Sequence, residues 1–277
     1  MKLKKIITAT LAFSLVIGSV FFTACGDKKE AAKPEDQTAE KGKLIVGLDD
    51  TFAPMGFRDA NGKLVGFDID FANEVGKELG MKIEFKPISW DAKDLELKSK
   101  NIDCIWNGMS VTPDRLEAMA ISKSYLDNSI ILMTLSSKGD VKIADAKDLK
   151  KYKIGTQADS AALEVLKKND EYENYKANIT EYGDYDKAIL DLKAGRVDVI
   201  AIDQVLGEYK SNNMKGELKK LDYILGKDKY AIGFRKDNNE LMEAVNDAIK
   251  KTIDSGKAEE ISKKWFGTNI VIFEESK

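Results

Sequence analysis

CIWNGMSVTPDR, residues 104–115, changes character halfway along its length. Cys104-Ile105-Trp106 is an apolar run that reads as a buried strand. Thr112-Pro113-Asp114-Arg115 reads as a helix start, with threonine as N-cap and proline at the first helical position. Between them, Asn107-Gly108 has the chemistry to turn a backbone out of a sheet. A strand leading straight into a helix is the repeating unit of an α/β fold, and the flanking sequence continues it. Residues 44–48 (LIVGL) are a strand, residues 59–62 (DANG) a hairpin turn, and Ile69, Ala72, Val75, Gly76 and Leu79 recur at helical spacing until Gly80. Residues 82–86 alternate as a strand does, and residues 91–99 are helical.

The second half uses the same grammar, with strands at 153–156 and 197–202 and helices at about 160–168 and around Ala188 and Leu192. Two helices, at 241–253 and 261–265, close the chain. LKSKNIDC (97–104) is echoed by LKAGRVDV (192–199): leucine, a polar or small stretch, a branched apolar residue, aspartate, then strand. Helix-to-strand turns share chemistry, so chance is one source of such an echo. Together with the alternation, it predicts two similar α/β lobes with largely parallel strands.

The apolar fraction of 43% builds real cores, and 33% charged residues give a wet surface. The chain contains no histidine. That removes histidine-activated serine or cysteine nucleophiles and argues against a zinc centre; no catalytic residue, metal or cofactor is singled out by the rest of the sequence. Two cysteines, Cys25 and Cys104, are too few for a disulfide scaffold.

The first residues have their own logic. MKLKK is basic, residues 6–22 carry no charge, and small residues then precede Cys25. Residues 1–24 read as a secretory signal peptide, specifically of the lipoprotein type that leaves Cys25 as the lipidated (palmitate-bearing) first residue. An ordinary signal peptide or an uncleaved anchor is the alternative. Residues 25–42 include DKKEAAKPEDQTAE, which has no aromatic or branched apolar residue and reads as a flexible tether. Losing three leader lysines leaves 41 basic against 47 acidic residues, a charge of −6 that gives no basic footprint for nucleic acid.

In open α/β sheets, ligands sit beyond the carboxyl ends of strands. The candidates are therefore Asp49, residues 107–115, residues 157–161 and Asp203. Arg115 offers a guanidinium fork for a carboxylate, with Ser110 and Thr112 as hydroxyls nearby. Ser160 opens a second helix after a strand and offers N–H donors. Each of these also has a plain capping role open to it. Asp203 ends an apolar strand, either poised for an ammonium or capping the helix that follows. Phe52 and Trp90 flank such loops as ligand-covering aromatics or as core, whereas Trp106 and Cys104 belong to the core. Anion seats facing an aspartate and aromatics describe a small zwitterion, an L-α-amino acid.

These residues carry a resemblance. VGLDDTFAPMGF (46–57), GKLVGFDIDFANEVGKELG (62–80), SWDAKDLELKSKNID (89–103), NGMSVTPDR (107–115), DLKKYKIGTQADSA (148–161), AGRVDVIAID (194–203) and KKWFG (263–267) resemble the polar amino acid type of ABC-importer solute-binding proteins, extracellular family 3. The resemblance implies the type II periplasmic-binding fold: two α/β lobes joined by two hinge strands, crossing near residues 130–135 and 230–234. Lobe 1 would be 43–130 plus 235–277, and lobe 2 would be 131–234 with the hinge strands. It also implies that Arg115 clamps an α-carboxylate, aided by Ser110, Thr112 and the Ser160 and Ala161 amides, and that Asp203 takes the α-ammonium. Phe52 and Trp90 would cover the side chain, Asp49 would stand near its polar end, and Gln157 would vary with ligand. Asn107 and Gly108 belong to the same segment. Two positions depart from the family pattern: Asp159 replaces a usual glycine, either crowding the carboxylate seat or turned away as a cap, and Trp106-Asn107 replaces a smaller pair.

The partners implied are a free polar L-amino acid (basic, amide-bearing or cystine), ABC permease subunits and a membrane reached through the lipid. The protein would act as a monomer on the outer face of the cell membrane, or on its periplasmic face where an outer membrane exists. A secreted enzyme of the same fold, such as a cyclic-acid dehydratase, is the alternative, but it needs a general acid that the sequence does not single out. A ligand-sensing lipoprotein is another, and a sensor would need a signalling module, for which no sequence follows Lys277.

Overall fold

The computed structural model describes residues 42–277. The leader, Cys25 and most of the tether lie outside the described residues. The first half comprises β1 (Lys43–Leu48), β2 (Thr51–Phe52), β3 (Gly56–Arg58), β4 (Leu64–Val65), α1 (Phe67–Leu79), β5 (Lys82–Pro87), α2 (Lys93–Lys98), β6 (Cys104–Ser110), α3 (Pro113–Ala118) and β7 (Met119–Ile121). The long strand β8 (Ser124–Leu135) leads to β9 (Ile154–Gln157), α4 (Ala161–Lys167), α5 (Tyr172–Tyr175), β10 (Ile179–Tyr182), α6 (Tyr185–Lys193), β11 (Val199–Asp203) and α7 (Gln204–Asn213). An even longer strand, β12 (Leu218–Arg235), returns to α8 (Asn239–Asp254), α9 (Lys257–Phe266) and β13 (Val271–Glu274).

One sheet runs β10-β9-β11-β8-β12-β6-β1-β5, with β13 added to β8 and β7 to β12. At one end β5, β1 and β6 are parallel; at the other β10, β9 and β11 are parallel; the central β8 and β12 are antiparallel to their neighbours. This is the two-lobed α/β architecture with two connecting strands. β8 pairs with β13 at Leu126 and with β11 from Ile130, so its change of lobe falls at residues 127–129. β12 pairs β6 from Tyr230 onward and faces those same β8 residues through Lys227, Asp228 and Lys229. Both crossings lie a few residues before the stretches expected from sequence.

β6, β9 and β11 are buried along their whole length because helices cover both faces. Along β11, Val199 and Ala201 enter one core with Ile154 and Leu166, while Ile200 and Ile202 enter another with Leu192 and Leu206. In β6, Cys104 and Trp106 pack towards α1 and α8, and Ile105 and Met109 towards α2. The sequence echo is structural as well. Asp103 and Asp198 each accept a backbone N–H of the adjoining strand segment at 2.8 Å, from Ile45 and from Lys153. Each also meets a cation, Arg235 at 3.6 Å and Lys138 respectively.

The quoted stretch differs from its sequence reading at one point. The backbone does not leave the sheet at Asn107-Gly108; β6 continues to Ser110, which pairs with Tyr230. Ile105 faces Gly233 and Met109 faces Ala231, so β6 carries extra residues between those pairs. This is a β-bulge, and Gly108 sits in it at φ +56°. A Cβ there would meet Phe52 at 2.9 Å and Tyr230 at 3.1 Å, so glycine is required by space as well as by conformation.

Candidate functional site

Each lobe contributes the ends of its parallel strands and the loops after them. From lobe 1 come Asp49 after β1, Phe52 on β2, Trp90 ahead of α2, Asn107, Gly108 and Ser110 on the bulged end of β6, and Arg115 on α3. From lobe 2 come Gln157 ending β9, Ser160 and Ala161 opening α4, and Asp203 ending β11. Phe52, Trp90, Asn107, Gly108, Ser110, Arg115, Gln157, Ser160, Ala161 and Asp203 line a single cavity. Its free space is about 10 Å³, room for no more than one water. Anything the size of an amino acid reaches it only when the walls separate.

Of the twelve residues singled out from sequence, Asp49 and Thr112 stand behind this lining. Thr112 Oγ1 accepts the Arg115 N–H at 3.4 Å, which is the capping role. Asp49 accepts from Gln157 Nε2 at 2.8 Å across the cleft and from Thr51 Oγ1 at 2.6 Å. Burial raises its pKa, and those hydrogen bonds partly offset the rise. Ser160 caps α4 by accepting the Leu163 N–H at 3.1 Å, so it combines capping with a place on the wall. Asp203 makes no cap hydrogen bond to α7. Its carboxylate instead accepts from Asn128 Nδ2 at 2.8 Å and from the Tyr230 hydroxyl at 2.9 Å.

Two cations gather around Trp90. Arg115 is 7% exposed; Nη1 donates to the Ser110 carbonyl at 3.0 Å, and its guanidinium lies 5.6 Å from the Trp90 ring centre. Lys93, buried at 2% exposure, sits 5.1 Å from the same ring. Burial depresses its ammonium pKa, and neighbouring Arg115 adds to that. Asp203, on the wall of the same cavity, is pushed up to about 7, first by burial and then by the nearby Asp228.

Asp159, the first of the two departures noted from sequence, does not act as a cap; Ser160 does. It holds φ +55°, a conformation glycine adopts freely. Its carbonyl accepts from Trp90 Nε1 and from Arg115 Nη2, each at 3.2 Å, and its carboxylate pairs with Lys93. Three lobe 1 side chains thus close on one lobe 2 residue. Lys168 and Asp114 add a second bridge at 3.0 Å, and Phe52 faces Tyr185 at 6.2 Å.

Of the Trp106-Asn107 departure, only Asn107 reaches the cavity. Its Oδ1 accepts the Asp49 N–H at 3.1 Å. Trp106 points away and packs edge-on against Phe71 at 5.8 Å. Lys93, Asn128, Asp228 and Tyr230 were not singled out from sequence. Lys93 lies in a stretch rich in charged residues, and Asp228 between two lysines, so nothing local marks either one.

The chain matches the bacterial extracellular solute-binding proteins, family 3, over residues 44–268. It belongs to that family. An L-cystine-binding protein, TcyJ of Escherichia coli K12, is 30% identical over 236 residues, covering 85% of this chain and 86% of the relative. The arginine-binding extracellular protein ArtP of Bacillus subtilis is 28% identical, covering 94% and 96%. Among solved structures, an ABC uptake transporter substrate-binding protein of Streptococcus pneumoniae with bound histidine superposes with a TM-score of 0.79. It is 34% identical, over 85% of this chain and 96% of that one.

Proposed function

We propose that this family 3 protein is the extracellular binding component of an ABC importer, capturing a polar L-α-amino acid between its lobes and presenting it to a permease. The observation that carries this reading is the composition of the cavity wall: Arg115 and the start of α4 share it with the buried carboxylate of Asp203. A cation and a buried carboxylate in one cavity are the partners that an α-carboxylate and an α-ammonium on one carbon require. Phe52 and Trp90 supply apolar walls, and the Asp49–Gln157 pair supplies a polar limit for the side chain. Relatives named for cystine and arginine, and one solved with histidine, set the range of side chains to test.

In this reading lobe 1 is residues 43–126 with 230–277, lobe 2 is 130–226, and the connecting residues 127–129 and 227–229 flex, a few residues earlier than the 130 and 234 boundaries expected from sequence. A ligand touching both walls binds the closed form better than the open one, and that difference shifts the population. Cys25 carries the lipid that holds the protein at the outer face of the membrane, and the protein works as a monomer.

A thermal-shift screen of the twenty amino acids with ornithine, citrulline and cystine tests the ligand class. A ligand that binds only the native state raises the melting temperature by mass action. No shift with any of them would overturn the proposal. Mass spectrometry of co-purified ligand separates carriage from catalysis, because an enzyme would yield a converted product. Radiolabelled palmitate incorporated by the full chain but not by Cys25→Ser tests the anchor, and light scattering tests the monomer.

A further inference from the structure

Behind Asp203 lies an acidic residue to which the reading above gives no role. Asn128 Nδ2, on β8, donates to Asp203 at 2.8 Å and to Asp228 at 2.7 Å, so one amide nitrogen ties the two carboxylates together. Asp228 Oδ2 also accepts from Ser110 Oγ at 2.7 Å, and Ser110 lines the cavity. The four residues come from four elements: β6 of lobe 1, β11 of lobe 2, and the two connecting strands where they change lobe. Asp203 is 4% exposed and faces the cleft. Asp228 borders a separate cavity of about 510 Å³ on the hinge face, with Asp127 and Lys229 among its lining residues.

Two carboxylates this close, one buried and the other half-buried, resist being ionised together. The surrounding groups only partly relieve them. Arg115 is the cation acting on both; Tyr230 and Asn128 donate to Asp203; Ser110, Asn128 and the Lys229 N–H serve Asp228; Tyr185 is a neutral phenol near Asp203. We propose that Asp228 is the second carboxylate of the amine subsite, that the pair shares one proton while no cation is docked, and that the ligand ammonium takes the place of that proton. The step is a plain ionisation: the O–H bond of the shared carboxylic acid breaks, its electron pair stays on oxygen, and the proton passes to water. Asp228, on the hinge face, gives the pair an outlet when the cleft is closed over ligand. The upward shifts of Asp203, to about 7, and of Asp228 agree with this arrangement.

This inference rests on the amino-acid reading, so its test has one arm without ligand. Infrared titration of the ligand-free protein should show a carboxyl band, lost in Asp203→Asn, that ionises near neutral pH and moves to lower pH in Asp228→Asn. Asparagine keeps an acceptor for Ser110 and Asn128, and the fold with it. The second arm is calorimetry at pH 5 to 8 with L-arginine, or L-glutamine if arginine does not bind; neither titrates in that range. Wild-type affinity should fall about tenfold per pH unit below about 7, with up to one proton released per ligand bound. Asp228→Asn should flatten that profile, which a merely structural residue would not do. A carboxyl band unmoved by Asp228→Asn, or superposable affinity profiles, would overturn the proposal. Failure of both amino acids to bind would leave the ligand class to the thermal-shift screen, and the infrared arm would decide the shared proton.

Discussion

Replacing Asp159 with asparagine isolates one ion pair across the cleft. Asparagine tolerates φ +55° as aspartate does, and the backbone carbonyl that receives Trp90 and Arg115 is retained. What is lost is the charge opposite Lys93, which is 2% exposed while the Asp159 side chain is 57% exposed. A charge-assisted hydrogen bond contributes about 1.5–3 kcal/mol. Competition from water at the exposed partner reduces this to about 1–2 kcal/mol. Because the partners belong to different lobes, the loss falls on the closed form alone. Ligand affinity should therefore weaken about 5–30-fold. The substitution also removes a negative charge beside Arg115, which by itself favours carboxylate binding. A double-mutant cycle with Lys93→Met separates the two effects, read by calorimetry with the amino acid that shifts melting most. A coupling energy of at least about 0.5 kcal/mol that shrinks in high salt is expected. Coupling indistinguishable from zero would refute the idea that this pair holds the cleft shut.

Other perturbations address the two charged groups of the cavity wall and the support beneath them. Arg115→Ala should weaken amino acid binding by about 2–5 kcal/mol, since the ligand carboxylate loses a buried, charge-assisted partner; near-unchanged affinity by calorimetry would remove Arg115 from the site. Asp203→Ala should abolish amino acid binding while leaving melting of the ligand-free protein largely intact, and equal loss of both would mean a structural role. Asp68 is fully buried on α1, where its carboxylate accepts the N–H of Gly108 at 2.7 Å, and burial raises its pKa to about 7. The folded state thus binds this proton more tightly than the unfolded one. Its contribution is greatest below about pH 4 and is lost as pH rises through about 7. Asp68→Asn should accordingly gain stability relative to wild type between pH 5 and 8, measured as urea midpoints, and a difference constant with pH would contradict the burial of a charge.

Much of this protein was legible from local sequence because local sequence controls strands, helices and their ends. Apolar runs marked β1, β6 and β11; Thr112-Pro113 and Ser160 marked helix starts; and the repeated leucine-to-aspartate pattern marked two equivalent turns. The placement of ligand sites beyond strand ends in α/β sheets then drew attention to ten residues that do line one cavity. Tertiary structure alone decided the rest. Whether Trp106 or Asn107 faces the cleft depends on a bulge defined by pairing with β12, more than 120 residues later. Asp159 meets Lys93 at a separation of 66 residues, and Ser110 meets Asp228 at 118. Periodicity cannot reveal such partners, because it reports which face of an element a residue occupies and not what the chain later brings against that face.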